Sequence, residues 1–357
     1  MRKTKLMAAA AALASAALVG GTVLPALPAK AAPTKDVNLS SYVGTSTDAS
    51  AGLRAAAIDL QTRNGWKGGT INIDGQWTVN TTINLDELQG GDTSKRLWNM
   101  VRLEGTGIGS SKLTRGVNGP MFQMKSTTPI SLYNMAYNAI GFEATVDAAS
   151  YIWELQSGSV TNSQWEDISV EIKGQGGVIA VGPTAAGNNG AEYHSNSWRD
   201  TMVYVSKDSN YVPFRFTSAH HHVNGNTFDR MWAHHRLNNK KPFFEMKPKN
   251  GGTYTNNSFK AITGEQNLGG LLHLTGMNGG TIDSVVDWDG QAPGYNNHVI
   301  QIANSWGTVI TGSGFVVQSN YYKPTSTAWK TINLVNNQYV TTLGSAVGTI
   351  PCLGTAC

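Results

Sequence analysis

Three passages decide the fold: Asn196-Ser197-Trp198 with Phe214-Arg215-Phe216, Asn226-Thr227-Phe228 with Phe244-Glu245-Met246, and Asn257-Ser258-Phe259 with Leu272-His273-Leu274. Each couples an Asn, a hydroxyl residue and an aromatic ring to a short segment in which apolar and polar residues alternate. Working outward, the first element returns at Asn162-Ser163-Gln164-Trp165 and at Gly280-Thr281-Ile282, so its apolar position steps by 33, 30, 31 and 23 residues. The second returns at Ile300-Gln301-Ile302 and Ile332-Asn333-Leu334, with steps of 30, 28, 28 and 32. Two ladders of one period imply a solenoid, because a single rung cannot bury its own apolar side chains and must stack on the next. Period-two alternation makes the rungs strands, and coils that all run the same way stack them in parallel. A sandwich or barrel would need hairpin turns at shorter and less regular spacing. The expected fold is all-β: a single right-handed parallel β-helix.

Composition agrees. Gly is abundant at 40 residues and charged residues are scarce at 14%, which suits many short strands punctuated by turns. Arg2, Lys3 and Lys5, the apolar run Leu6–Leu24 and the small-x-small triplet Ala29-Lys30-Ala31 read as a signal peptide over 1–31. A membrane anchor fits less well, since the run is Ala-rich and broken by Pro25 and Pro28; no other segment is apolar enough to span a bilayer. The expected location is secreted and extracellular. Residues 32–357 then form one catalytic β-helix domain, with a cap over 37–66, coils over 67–340 and a tail over 341–357. Cys352 and Cys357 are expected to close a small disulfide that pins this tail. The formal charge of +4 is made of Arg2, Lys3, Lys5 and Lys30, so the mature chain carries 23 basic and 23 acidic residues. Global charge therefore gives no reason to expect a nucleic-acid partner.

The N-terminal part carries a resemblance. Val37 to Asp48, then Leu53-Arg54-Ala55-Ala56-Ala57-Ile58, then Gly68-Gly69-Thr70-Ile71-Asn72-Ile73 looks like the opening unit of pectate-lyase-3-like and tailspike-like proteins of the pectin-lyase-like β-helix superfamily. Leu103-Glu104-Gly105-Thr106-Gly107 and Lys112-Leu113-Thr114 are similar to the next rung. The chain departs at Asp74, where those proteins usually have Pro. The resemblance covers roughly 37–115 and implies a helix near Ala51–Arg63 that covers the open end of the first coil. It implies no single activity, because the superfamily holds lyases, hydrolases, transferases and phage adhesins.

Solenoid sites are built across coils, where equivalent outward positions lie about 4.8 Å apart. With the aromatic of the first ladder as position zero, positions +4, +6 and +8 face out. Position +6 reads Glu171, Tyr204, His234, Glu265 and Trp288; position +8 includes Lys173 and Arg236; position +4 contributes Trp232. A phenol, an imidazole and a guanidinium on one face suit β-elimination from a uronate, which needs a neutralised carboxylate, a base for the C5 proton and an acid for the leaving oxygen. Tyr204, His234, Arg236 and Glu265 are thus the candidate catalytic residues. Lys173, Glu171, His194, Trp232, His235, Lys241, Glu245 and Trp288 are the candidate substrate-binding residues, with Arg236 and Lys173 or Lys241 on the carboxylate and Trp232 or Trp288 against a sugar ring. The structural alternative is that an outward His or Tyr is simply surface, and a register slip of one residue would turn every assignment inward.

Between His220 and Lys249 lie five of the eight histidines together with Arg230, Arg236, Lys240, Lys241, Lys247 and Lys249, against only Asp229 and Glu245. Such a segment suits capture of a polyanion, or is a solvated loop. Zinc on His220-His221-His222 is the weaker idea, because adjacent strand residues point to opposite faces and no carboxylate or cysteine accompanies them at ligand spacing. No metal and no cofactor are expected. Hydrolysis would use carboxylate pairs such as Glu245 with Glu265 or Asp287 with Asp289, whereas Glu171 and Glu265, three rungs apart, are too far for a retaining pair and generously spaced for an inverting one. The signatures of polygalacturonases and the calcium carboxylates of pectate lyases are absent. The expected function is a polysaccharide lyase acting on a hyaluronan, alginate or pectic type of acidic polysaccharide. The alternatives are a glycoside hydrolase or glycosyl transferase, and a glycan-binding β-helix without catalysis. Oligomeric state is open between monomer and homotrimer.

Overall fold

The structure is a computed structural model that describes residues 36–303, apart from 126–129, 146–149, 183–189, 206–210, 220–221, 236–240, 250–251, 266–268 and 288–299, and beyond 303 only strand segments. Residues 1–31, expected to be a signal segment, and Cys352 and Cys357 lie outside the described residues. Contacts divide the chain into Met1–Thr34 and Lys35–Cys357, and the described residues all belong to the second unit. Among the described residues no helix is long and apolar enough to cross a membrane.

The second unit is a right-handed parallel β-helix of about seven turns. The coil at Glu192–Phe216 shows the plan. A short strand, Glu192–His194, enters a corner at Ser195, and a long strand, Ser197–Val205, bends at Asp200. A third strand, Phe214–Phe216, leads to the next coil. Stacked parallel strands make a long sheet from the Ser197–Val205 type, a second sheet from the Phe214–Phe216 type and a third from the Glu192–His194 type. In the long sheet Trp165 registers on Trp198, Trp198 on Phe228 and Phe228 on Phe259. The solenoid's last strands, Gln338–Thr342 and Ser345–Thr349, pair antiparallel.

Both corners are columns of left-handed backbone. Asn134, Asn162, Ser195 and Asn256 share one, and Asp167, Asp200, Arg230, Ala261 and Ser284 the other, all with φ between 50° and 55°. Asn and Asp tolerate this conformation, whereas Arg230 and Ala261 are held in it by the rungs on either side.

The core is a stack of rings and amides. Trp165 and Trp198 stack at 4.8 Å with planes 3° apart, and Phe228 and Phe259 at 5.0 Å and 11°; such pairs add about 0.5–1.5 kcal/mol beyond their buried area. Behind the rings runs a buried amide ladder. Asn196 Oδ1 accepts from Ser163 N at 2.8 Å, Asn226 Oδ1 from Asn196 N at 3.0 Å, and Asn257 Oδ1 from Asn226 N at 3.1 Å. Their Nδ2 groups donate to the carbonyls of Val160, Tyr193 and Val223, each at 2.9 Å. This is why the first ladder carries Asn two residues before its ring: the amide satisfies corner backbone groups that burial cuts off from water.

Two helices close the N-terminal end, α1 (Ser40–Val43) and α2 (Ser50–Arg63). Leu53, Ala56, Ala57 and Leu60 of α2 are fully buried in the common core. Buried Gln61 donates to the carbonyls of Leu97 and Asn99 at 2.9 and 2.8 Å and accepts from Gly68 N at 3.0 Å. A polar residue on the buried helix face thereby satisfies backbone that a bare sheet end would expose. Gly68 has φ 76°, and a Cβ there would meet the Met100 carbonyl oxygen at 2.0 Å, so the Gly68-Gly69-Thr70 turn admits no side chain at its first position. Asp74, where the resembled proteins have Pro, accepts from Ser40 N at 3.0 Å and so ties α1 to the first coil.

A candidate active groove on the long sheet

The bend at Asp200, Arg230 and Ala261 splits the long sheet into two facets. On the facet after the bend, backbone register aligns Thr78, Thr114, Glu143, Glu171, Tyr204, His234 and Glu265 in one outward column. Two residues upstream, Gln76, Lys112, Gly141, Ser169, Met202, Trp232 and Thr263 form the adjoining column. Val203 and Ala233 between the columns, and Val205 and Ile262 flanking them, point into the core. The structure thus brings Glu171, Tyr204, His234 and Glu265 onto four consecutive rungs, with Trp232 beside them.

The centre of the column is a linked trio. His234 Nδ1 lies 3.3 Å from Glu265 Oε2, and the Tyr204 ring stacks on the imidazole at 4.4 Å. A carboxylate at Nδ1 favours the tautomer that keeps its proton there and leaves the lone pair on Nε2. Tyr204 and Trp232, 40% and 45% exposed, are two of the four large apolar side chains left exposed among the described residues. They leave aromatic surface exposed on adjacent rungs.

The upstream end is electrostatically closed. Glu143, only 9% exposed, accepts from Lys173 Nζ at 2.8 Å and Lys112 Nζ at 2.9 Å. Burial alone would raise its pKa, but the two ammonium groups outweigh burial and hold it below the usual value. Lys173 also lies 3.3 Å from Glu171, and its hydrogen bond to Glu143 raises its pKa in turn. Sequence reading missed Glu143 and Lys112. Tyr137 stacks on Trp165 at 5.5 Å, and counting six residues on from Tyr137, as from Trp165, reaches Glu143; the ladder's Asn-hydroxyl pattern does not reach back to this rung, because Asn134 is followed by Met135 and Ala136 where the later rungs carry Ser or Thr.

Other expectations are corrected. His235 occupies the inward position after His234, is fully buried and meets the Phe243 ring edge-on at 5.7 Å, so it cannot touch substrate. Burial, followed by the neighbouring charge of His234, lowers its pKa to about 3. Glu245 sits on the second sheet between Arg215 and His273, away from the trio. The exposed Lys241 precedes that same strand. His194 belongs to the third sheet, beside Glu192. Lys173 does lie beside Glu171, but its charge is already shared by two carboxylates, so it is no free partner for a third. Arg236 and Trp288 lie outside the described residues.

A concavity of about 310 Å³ occurs elsewhere, between α2 and the turn at Thr81–Asn84. Its charged groups Arg54 and Glu87 satisfy each other at 2.7 and 3.0 Å. The open facet, not this pocket, carries exposed rings beside an imidazole–carboxylate pair, and an extended surface suits a polymer.

No protein-family model matches the chain, and no curated protein sequence matches it. Solved structures do resemble it. The Acinetobacter phage vB_ApiP_P1 tailspike protein is similar at a TM-score of 0.51 and 15% identity, over 89% of this chain and 61% of its own. The chain thus spans under two thirds of the tailspike's length. The mannuronan C-5 epimerase AlgE4 A-module of Azotobacter vinelandii aligns at 0.42 and 13%, over 85% of this chain and 95% of its own. The DFA-IIIase of Arthrobacter chlorophenolicus A6 aligns at 0.39 and 11%, over 85% and 92%. At these identities the likeness is one of fold.

Proposed function

We propose that the chain is an exported polysaccharide lyase that cleaves a uronate-containing acidic polysaccharide by β-elimination in the groove of Glu171, Tyr204, His234 and Glu265. The observation that carries this reading is the trio on consecutive rungs: a carboxylate behind an imidazole whose other face meets an exposed phenol. His234 Nε2 takes the C5 proton, the electron pair forms the C4–C5 double bond, and the C4–O bond breaks. The leaving oxygen takes a proton from the Tyr204 hydroxyl. Glu265 steadies the imidazolium formed in the first step, as a carboxylate behind a catalytic His does generally. In this reading Trp232 supports a neighbouring sugar ring, and Arg236, two residues past His234 in sequence, is the cation assigned to the uronate carboxylate.

Hydrolysis by paired carboxylates fits less well. Glu171 and Glu265 are three rungs apart, about 14 Å at the strand spacing, beyond the roughly 6.5–9.5 Å an inverting pair uses. Glu143 and Glu171 are on adjacent rungs, but both oxygens of Glu143 are occupied by lysines.

The test is incubation with alginate, hyaluronan and pectate while following the ultraviolet absorbance of the unsaturated uronate and, in parallel, new reducing ends. The reading expects both to rise together. Reducing ends without the absorbance would overturn β-elimination and favour a hydrolase.

A further inference from the structure

The second sheet carries a cluster that the groove does not use. Arg215 lies between Phe214 and Phe216, both fully buried, so its own side chain points outward, and it is exposed. Register sets Ala180, Arg215, Glu245 and His273 in one outward column on four successive rungs. Glu245 and His273 are half-buried. Arg215 is held from behind by Tyr151, two coils earlier, whose hydroxyl accepts a hydrogen bond from the guanidinium. Tyr151 pairs in register with Gly177, where a Cβ would meet Tyr151 Cε1 at 2.4 Å and Cδ1 at 2.7 Å. The bare glycine is what lets the Tyr151 ring lie across that rung and carry its phenol to Arg215. Tyr211, half-buried, meets the Tyr151 ring edge-on at 6.0 Å.

Donors and acceptors are balanced in this cluster. Burial, the largest influence, pushes the Tyr151 phenol up to about 12, with Arg215 pulling the other way and the Glu245 carboxylate adding to the rise. The phenol stays protonated, so it fixes the guanidinium without cancelling its charge. Glu245 supplies the opposite charge one rung on, about 4.8 Å along the column. One rung back, Ala180 presents only a methyl and leaves room beside the guanidinium. Beyond it Glu154 is already engaged, accepting from Ser150 Oγ at 3.2 Å and from Gln156. A guanidinium only donates and a carboxylate only accepts. Side by side and neutral as a pair, they match two sugar hydroxyls, each of which does both, while the tyrosines supply apolar surface for the C–H face of a pyranose. An anion would gain Arg215 but meet Glu245.

We infer that Arg215, Glu245 and Tyr211, with Tyr151 as the positioning residue behind Arg215, form a second glycan site, on the second sheet, that takes a neutral, hydroxyl-rich sugar chain. The site is separate from the groove and stands whether or not the chain is a lyase. Its reporter is His273, next to Glu245 in the column. Untagged full-length protein with ¹⁵N-labelled imidazoles is titrated with cellohexaose, maltohexaose, mannohexaose and xylohexaose, and with a mannuronate hexamer for comparison. The expected result is a saturable shift of the His273 signals with at least one neutral hexaose, unchanged when NaCl is raised from about 0.05 to 0.5 M, because no net charge is exchanged. Arg215→Gln and Tyr211→Ala should each weaken that binding at least about tenfold, the worth of a charge-assisted hydrogen bond or a lost ring contact. Tyr151→Phe keeps the buried ring and removes only the oxygen, so it should weaken binding by a smaller factor with the melting temperature little changed. No shift with any neutral hexaose, a shift only with the mannuronate hexamer that salt abolishes, or binding indifferent to Arg215→Gln would overturn the inference.

Discussion

The two facets of the long sheet share strands, spacing and core, yet their outward columns do opposite things with their charges. Before the bend the column reads Glu166, Arg199, Asp229, Lys260, Asp283, alternating in sign on successive rungs. Arg199 lies 3.7 Å from Glu166 and 3.8 Å from Asp229, while Arg230 at the bend clamps Asp200 with two 2.6 Å hydrogen bonds and Asp229 with a third. After the bend the alternation stops. Glu143 absorbs two lysines, and beyond it come Glu171, Tyr204, His234 and Glu265 with Trp232 alongside. A solenoid face that is only surface neutralises itself rung by rung; one that leaves two aromatic side chains exposed beside an imidazole–carboxylate pair is built to meet something. That contrast, more than any single residue, places the candidate groove.

The largest effect that can break the comparison is on turnover. His234→Ala should lower it by about 10²–10⁴-fold, the usual worth of a positioned acid–base group, with Tyr204→Phe similar, as read from initial rates on the uronate polymer the wild type cuts. Loss confined to the facet before the bend would reverse our assignment. Next comes the shared core. Asn226→Leu strands the backbone N–H of Asn196 and the carbonyl of Tyr193, and should cost about 3 kcal/mol in urea unfolding, from groups left buried without partners at roughly 1–3 kcal/mol each. A cost near zero would mean the amide ladder does not hold the corner.

A smaller effect sharpens the inside–outside distinction between His234 and His235. Folded His235 stays neutral down to about pH 3, whereas the unfolded residue titrates near 6.5. Below 6.5 the unfolded chain therefore binds a proton that the folded chain refuses. Stability present above pH 6.5 is lost as pH falls toward 3. His235→Leu should flatten that decline between pH 6.5 and 4.5, above the range in which Glu143 protonates, leaving a residual slope of the same sign from His194. Melting temperature against pH for both proteins decides it; parallel curves would contradict the buried neutral imidazole. The smallest effect is at Arg199, 46% exposed and more than 3.5 Å from both partners. Arg199→Ala should cost under about 1 kcal/mol and leave turnover unchanged.

Much of this was legible in sequence because burial and period are strongly coupled in a solenoid. The Trp165, Trp198, Phe228, Phe259 ladder had to stack, and once it did, counting six residues outward gave Glu171, Tyr204, His234 and Glu265 without error. The same alternation should have excluded His235, which follows an outward residue; local clustering of basic and imidazole groups outweighed the parity rule there. Glu245 and His194 were drawn in by nearness in sequence, whereas a coil turns them onto other sheets. Glu143 was hidden because Asn134 is followed by Met135 and Ala136, without the Ser or Thr that marks the later rungs. The ion pairs that commit Lys173 depend on neighbours about thirty residues away, a separation that only the register supplies.

The central claim is that the facet after the bend meets the substrate. The most direct measurement is titration of a uronate oligosaccharide into protein with ¹⁵N-labelled imidazoles, following each histidine by NMR. The account predicts that the His234 ring signals shift saturably while those of His194, His222 and buried His235 stay in place. Shifts at His194 and His222 with His234 unmoved would contradict it and transfer the site to the third sheet.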